Sequence, residues 1–461
     1  MGKNVSQLGR AALISLGCKV NTYESQGMTE LLEKAGYVLV PADAEAELYL
    51  VNTCTVTQIA ARKSRQMLRS LRRDHRGALI VATGCYVEQM DTGSEDILLE
   101  KVRSDAAEEL LRDGTVDLIV PNRRKKDLLA ILGAYLEARD AALALARSSR
   151  EEEELFITSQ EERTRAFLKV QDGCRQFCSY CIIPYVRGPL TSKPLDDAVR
   201  EAEGLAENGF SELVLTGIHL SSYGRGEDYG LADLILAVDR IPGIRRIRLG
   251  SLEPRVMTEE FLSRVAAAKK LCPHFHLSLQ SGCDRTLAAM NRHYSAEEYA
   301  ETLARIRRYF PGAALTTDVI VGFPGETEED HEASLAFVER MRFAQVHVFR
   351  YSRREGTVAD RRPDQIPEPV KKRRSEQMLA VTEKLEKEWI LSHAGRPLEV
   401  LAEEEEEGLW FGHTEDYLLV GIKDTDIRRG ETVRVLGTAL GSSQKGLYLE
   451  AERSARDASS M

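Results

Sequence analysis

The chain has 461 residues, 43% hydrophobic and 30% charged, with a formal net charge of −10 and a pI near 5.6. That length exceeds one ordinary core and implies about two to four domains, while the acidity rules out nucleic-acid binding by overall charge and leaves only local basic patches. No apolar run approaches the roughly 20 residues of a spanning helix, and the first ten residues lack the apolar centre of a signal peptide. A cytoplasmic protein without membrane contact is expected. In that compartment thiols stay reduced, so the eight cysteines point to metal or catalysis rather than disulfides.

The first third reads as β-loop-α repeated. Apolar runs at 11–16, 47–51 and 78–82 lead into Gly17-Cys18, Asn52-Thr53-Cys54 and Thr83-Gly84-Cys85. Helical patterns fill 23–35 and 58–73, the first stopped by Gly36. This order predicts a parallel sheet whose post-strand loops share one edge, where ligands bind. Cys18, Cys54 and Cys85 should converge there. Buried core cysteines are the plain alternative, but three at one structural station favour metal. Three thiolates without a fourth ligand suggest an iron–sulfur cluster with one open iron.

A further strand is expected at 118–120. The basic run Arg123-Arg124-Lys125-Lys126 then opens another helix, either as a phosphate-contacting loop or, more usually, as a solvated face. The charged stretch at about 138–163 reads as a domain boundary.

A strand at 166–171 precedes Cys174-Arg-Gln-Phe-Cys178-Ser-Tyr180-Cys181. Three thiols lie within eight residues, with no histidine near enough to close a tetrahedral zinc site. The C-x3-C-x2-C spacing, with an aromatic before the last cysteine, resembles the radical S-adenosylmethionine (SAM) superfamily. In that superfamily the open iron of a cluster holds SAM. Five more strands are expected, at 213–215, 246–249, 274–279, 314–321 and 345–350, with helices such as 195–208 and 296–309 between them. Six β/α units suggest an open, partial barrel with its catalytic loops at the strand C-termini. Thr216, Gly217, Ser278, Gln280 and Gly322 stand at those ends, and with Tyr180 they are candidate SAM contacts. His219, His274 and His276 read as satisfied core or loop residues. Cys272 and Cys283 read as ordinary buried or half-buried thiols.

A helix at 378–389 leaves the barrel, preceded by the basic run 371–374. Short strands then alternate with turns at 398–401, 409–412, 418–420, 432–436 and 446–450. They suggest a small five-stranded barrel of an oligonucleotide-binding kind. The acidic run Glu403 to Glu407 argues against a strong phosphate grip.

The whole resembles the methylthiotransferase family. The motifs are Ser15-Leu-Gly-Cys-Lys-Val-Asn21, Val51-Asn-Thr-Cys-Thr-Val-Thr57, Thr83-Gly-Cys85, Gly173-Cys174 through Pro184, Arg187-Gly188 and Asp318-Val-Ile-Val-Gly-Phe-Pro-Gly-Glu-Thr327. The resemblance implies an α/β chain in three parts. These are an N-terminal parallel-sheet cluster domain (9–137), a (β/α)6 radical SAM core (161–392) after a linker (138–160), and a C-terminal RNA-binding β-barrel called TRAM (393–455). Gly-Cys-Lys-Val-Asn and Asn-Thr-Cys-Thr-Val-Thr resemble the branch acting on threonylcarbamoyladenosine in tRNA. Gly250 departs from the usual serine, Pro121-Asn122 from a usual glycine turn, and 90–113 is longer than usual.

The resemblance implies two [4Fe–4S] clusters, one on Cys18, Cys54 and Cys85 and one with SAM on Cys174, Cys178 and Cys181. No side chain is implied as acid or base. Hydrogen abstraction from C2 of the adenine, sulfur insertion and SAM-dependent methylation would follow at the clusters. The implied partners are the tRNA anticodon loop and an electron donor such as flavodoxin or ferredoxin, with the chain acting as a monomer. Open alternatives are methylthiolation of isopentenyladenosine or of a ribosomal-protein aspartate, an iron–sulfur scaffold or electron carrier, and a zinc-dependent RNA-binding protein.

Overall fold

The computed structural model describes residues 9–88, 105–137, 155–159, 164–424 and 426–454. Most of the expected linker and of the long 90–113 stretch lies outside them. The first five strands are β1 (Arg10–Ser15), β2 (Val38–Leu39), β3 (Leu48–Thr53), β4 (Leu79–Gly84) and β5 (Leu118–Val120). They form one parallel sheet in the order β2-β1-β3-β4-β5. Alternation along β3 explains its burial on both faces. Leu48 and Leu50 enter a core with Met28, Leu32 and Ile131, from helices Lys19–Lys34 and Leu128–Glu137. Tyr49 and Val51 enter the opposite core with Leu68 and Leu71 of helix Gln58–Asp74.

The basic run is not a solvated face. It forms a 3-10 turn over Asn122–Asp127 that buries Arg124 and Lys125. Lys125 donates to Glu24 and Asn52, so its charge is used inside the fold.

The central part contains β6 (Arg165–Asp172), β7 (Thr191–Ser192), β8 (Glu212–Gly217), β9 (Arg246–Leu249), β10 (His274–His276), β11 (Ala314–Val321) and β12 (Gln345–Arg350). One sheet runs β7-β6-β8-β9 and another β10-β11-β12. Parallel bridges Ile247–Leu271 and Leu252–Leu277 join them. Six parallel strands thus make the expected partial barrel, with β7 as an antiparallel edge too short to show a periodicity. Regular pairing of β10 stops at His276, where 274–279 was expected, because Leu277 and Gln280 make only single bridges to Leu252 and Val319. Capping boxes at Ser295/Glu298 and Thr327/Asp330 start helices Ala296–Tyr309 and Glu328–Met341.

The exit helix is longer than expected and spans Glu368–Leu391, opened by Pro367 and Pro369. The 371–374 basic run therefore lies inside it, with Lys371 paired to Glu368 and buried Arg374 to Glu326 and Glu328. Strands β13 (Pro397–Glu406), β14 (Leu409–His413), β15 (Leu419–Ile422), β16 (Thr432–Ser443) and β17 (Gly446–Arg453) close a small barrel in the order β13-β14-β15-β17-β16. Val400, Val420, Ile422, Val435 and Leu449 fill it.

This barrel docks on the strand starts of the larger one. Arg246 donates to the carbonyls of Glu399 and His413, and Arg248 to those of Glu415 and Thr414. Arg165 pairs with Glu403 at 2.9 Å. Glu403 of the acidic run is thus engaged by the barrel's own Arg165. Of the connector, residues 155–159 dock rather than dangle: Ile157 is buried, and the Thr158 and Ser159 amides donate to Glu30.

Candidate active site

The first three cysteines stand at one edge, as the alternation predicts. Cys18 caps helix Lys19–Lys34, Cys54 follows β3 and Cys85 follows β4. Asn21 ties their loops together, donating to the carbonyls of Leu16 (2.6 Å) and Thr53 (3.0 Å). Asn52 donates in turn to the Asn21 carbonyl (3.0 Å) and to Ser25 (3.1 Å). Ser64 clamps Cys54 by accepting from its amide (3.0 Å) and donating to its carbonyl (2.9 Å). Gly17 has φ +107°, and a Cβ there would lie 2.7 Å from the Cys54 sulfur. Only glycine lets these two loops touch. Burial pushes the Cys54 thiol up and Cys85 to about 11, against the pull of Arg187.

The second trio lies on the loop after β6. Gly173, at φ +72°, passes so close to Pro189 that a Cβ would overlap its carbonyl. The loop is held by Ser179, which donates from Oγ to the Ala289 carbonyl (2.8 Å) and from its amide to Met290 (3.0 Å). Arg292 donates to the Cys178 sulfur at 3.3 Å, to the Ser278 carbonyl and to the Tyr294 hydroxyl. Burial, then the charge of Cys178, pushes the Cys181 thiol up to about 12, and burial raises Cys174 as well. Such thiols ionise when a cation binds them.

Among the described residues no cysteine belongs to a group of three ligand atoms within 4.8 Å of one another. A single zinc would need its sulfurs about 3.8 Å apart at Zn–S bonds of about 2.3 Å. Three thiols in each set are the donor chemistry of a cluster with one cysteine per iron.

The two trios meet. Arg354 donates to Thr55, beside Cys54, and its charge interacts with both Cys54 and Cys181. Cys85 packs against Ile182 and Val186, just past Cys181. Arg187 donates to the Cys85 sulfur at 3.1 Å, to Asn21 and Glu24 at 2.5 Å each, and to Asp172 at 3.3 Å. Burial disfavours the Glu24 charge, but Arg187, Lys125 and Lys169 outweigh it and hold the carboxyl well below its usual range.

The expected SAM residues are spread around this rim. Thr216 and Gly217 end β8, and Thr216 is buried. Tyr180 packs beside Met290, Phe323 and Tyr351. The Ser278 carbonyl accepts from Tyr294 at 2.6 Å as well as from Arg292. Gln280 adopts φ +73° at a strand end, a strained backbone for a side-chain-bearing residue. At Gly322 a Cβ would meet Lys371 of the exit helix, and the amide donates to Glu326. His219, beside the cysteine loop through Gln176 (3.4 Å), is lowered by burial to about 4 and so is neutral. Cys272 is buried and Cys283 half-buried, as expected.

Sequence reasoning did not single out Arg292, Arg354 or Glu24, and Lys19 was visible only inside the Gly-Cys-Lys-Val-Asn motif. Arg187, Asn21 and Asn52 were visible only as parts of motifs. Single charged residues carry no periodicity, and only the fold reveals that they are buried.

Within the barrel lies a cavity of about 830 Å³. Lys19, Arg248, Gly250, Ser251, Asp318 and His347 are among its lining, and Tyr417 of the small barrel helps to close it. The Tyr417 ring stacks between His274 and His413, with ring centroids 4.7 and 4.5 Å away.

Residues 168–338 match the radical SAM superfamily, and residues 10–107 match the uncharacterized protein family UPF0004. The threonylcarbamoyladenosine tRNA methylthiotransferase MtaB of Bacillus subtilis (strain 168) is 36% identical over 93% of both chains. Its counterpart from Aquifex aeolicus (strain VF5) is 37% identical over 93% of this chain and 100% of its own. The tRNA-2-methylthio-N(6)-dimethylallyladenosine synthase of Acetivibrio thermocellus is 33% identical over 85% of this chain and 80% of its own. Among solved structures, the radical SAM methyltransferase TsrM of Kitasatospora setae aligns with TM-score 0.52 over 76% of this chain and 77% of its own, at 16% identity. That likeness concerns the fold alone.

Proposed function

Because this chain belongs to the radical SAM methylthiotransferases, we propose that it converts N6-threonylcarbamoyladenosine beside the anticodon of tRNA to its 2-methylthio derivative. Four relatives at 36–37% identity bear the name of that activity. In this reading Cys174, Cys178 and Cys181 hold a [4Fe–4S] cluster with SAM, and Cys18, Cys54 and Cys85 hold a second. When bound, these groups supply the one-electron chemistry and the sulfur that side chains lack.

The protein's own share is placement. An adenine C2–H is not acidic enough for a side-chain base near neutral pH. Arg187 and Arg292 orient one cysteine of each trio through N–H···S contacts. Tyr180, Thr216, Gly217, Ser278, Gln280 and Gly322 are the proposed frame for SAM, with Gly322 contributing backbone only. The target base is splayed from a single-stranded loop, as such recognition requires. An external one-electron donor such as a flavodoxin or ferredoxin reduces the enzyme, which works as a cytoplasmic monomer.

The observation that carries this reading is Cys85 of the first trio, which packs against Ile182, next to Cys181, and accepts from Arg187 at 3.1 Å. That contact supports a common chamber for the two trios. Anaerobically purified protein should contain about eight irons, and Cys18→Ala about four, at four per cluster. Mass spectrometry of tRNA from a deletion strain should show loss of 2-methylthio-threonylcarbamoyladenosine. Loss of the 2-methylthio-isopentenyl nucleoside instead would move the assignment to the other tRNA branch. Failure of the reduced protein to form 5′-deoxyadenosine from SAM would point to a scaffold or electron carrier.

A further inference from the structure

We propose that the barrel cavity receives the threonylcarbamoyl arm of the modified base, with Lys19 as the counter-ion for its carboxylate. This rests on the function proposed above, since that substrate brings a free carboxylate to the base. Lys19 directly follows Cys18, so it joins the first cysteine trio to the cavity. The cavity also reaches the expected SAM rim: Gly250 lines it, and a Cβ on Gly250 would lie 3.5 Å from the Thr216 hydroxyl. A volume of about 830 Å³ falls within the roughly 300–1,000 Å³ of small-molecule sites.

The charges of the wall select Lys19. Each anion there already has a partner. Asp318 is held by His276 at 3.2 Å, Asp416 by His393 at 2.8 Å, Glu386 by Gln345 at 2.9 Å and Glu383 by Lys387 at 2.6 Å. Two of the cations are likewise engaged, Arg248 by Glu212 at 2.9 Å and Lys445 by Glu404 at 2.7 Å. The Lys19 side chain makes no ion pair or hydrogen bond among the described residues, and it lines the cavity. Arg165, Arg248 and Glu212 are the charges that act on it most. His274 and His347 feel its charge and are themselves lowered, chiefly by burial. They therefore enter the site as neutral hydrogen-bonding groups. An unpaired ammonium in a wall whose anions are already partnered can take an anion from outside, and a carboxylate would gain a charge-assisted hydrogen bond.

The test is a binding measurement on the cluster-loaded full chain. The probes are two anticodon stem-loop RNAs, one with threonylcarbamoyladenosine and one with its threonyl carboxylate converted to the neutral amide. The protein should bind the carboxylate RNA about tenfold or more tightly than the amide, as one charge-assisted contact implies. Lys19→Gln should bind the two alike. Lys19→Arg, which keeps the charge, should retain the preference and so separates loss of charge from a folding fault. Equal binding of both RNAs by the unaltered protein overturns the proposal, as does a preference that survives Lys19→Gln. Failure of the broader functional reading is seen separately, as no methylthiolation of the carboxylate RNA by the unaltered enzyme.

Discussion

Glu24 is almost fully buried among Arg187, Lys125 and Lys169, contributed by both the N-terminal domain and the barrel. Removing one partner of such a set leaves uncompensated charge in a low-dielectric interior. Glu24→Gln should therefore lower unfolding stability by about 3–5 kcal/mol, read from denaturant titration. The pH dependence has a definite sign. Because the folded pKa lies below the ordinary 4.5, the carboxylate's contribution is full above about that pH. It fades as the pH falls through the depressed folded value. The Gln variant should lose less stability on acidification below pH 4.5 than the unaltered protein; an equal slope would show that Glu24 does not carry this linkage.

At the scale of elements, the loops that end β1, β3 and β4 set the first trio. Gly17 is a tight point, where φ +107° and the Cys54 sulfur both exclude a side chain. Gly17→Ala should cost about 1–3 kcal/mol from the forced backbone alone. It should also reduce the iron content of anaerobically purified protein by roughly half, as Cys18→Ala does, because the Cys18 and Cys54 loops can no longer touch. Retention of full iron would show that the two loops tolerate separation. The buried Lys125 shows the limit of reading elements from charge. A run of four basic residues suggests solvent, yet a 3-10 turn rotates two of them inward toward Glu24 and Asp127.

For the whole molecule, three parts are locked by arginines. Arg246 and Arg248 rise from β9 and bond four carbonyls of the small barrel, while Tyr417 is stacked between histidines of the two barrels. The Arg246→Met/Arg248→Met double variant should undock the small barrel and open the cavity beneath Tyr417. Limited proteolysis should then cleave faster near 391–397, where the exit helix meets β13. An unchanged cleavage pattern would mean that the apolar and aromatic contacts hold the barrel without the arginines.

Periodicity and cysteine spacing by themselves determined the parallel sheet, the six-stranded partial barrel, the five-stranded small barrel and the two cysteine trios. These signals are local: a strand's alternation, a helix cap, and a loop such as Cys174 to Cys181 lie within a few residues of sequence. What joins the parts was decided only by tertiary structure. Arg187 contacts Cys85 from 102 positions away, and Arg354 contacts Thr55 from 299. Lys19 becomes an unpaired cation only once the barrel has formed around it. A lone charge has the same appearance in a sequence whether it faces water or a cavity. The physical difference is the dielectric and the partners that the folded chain places beside it.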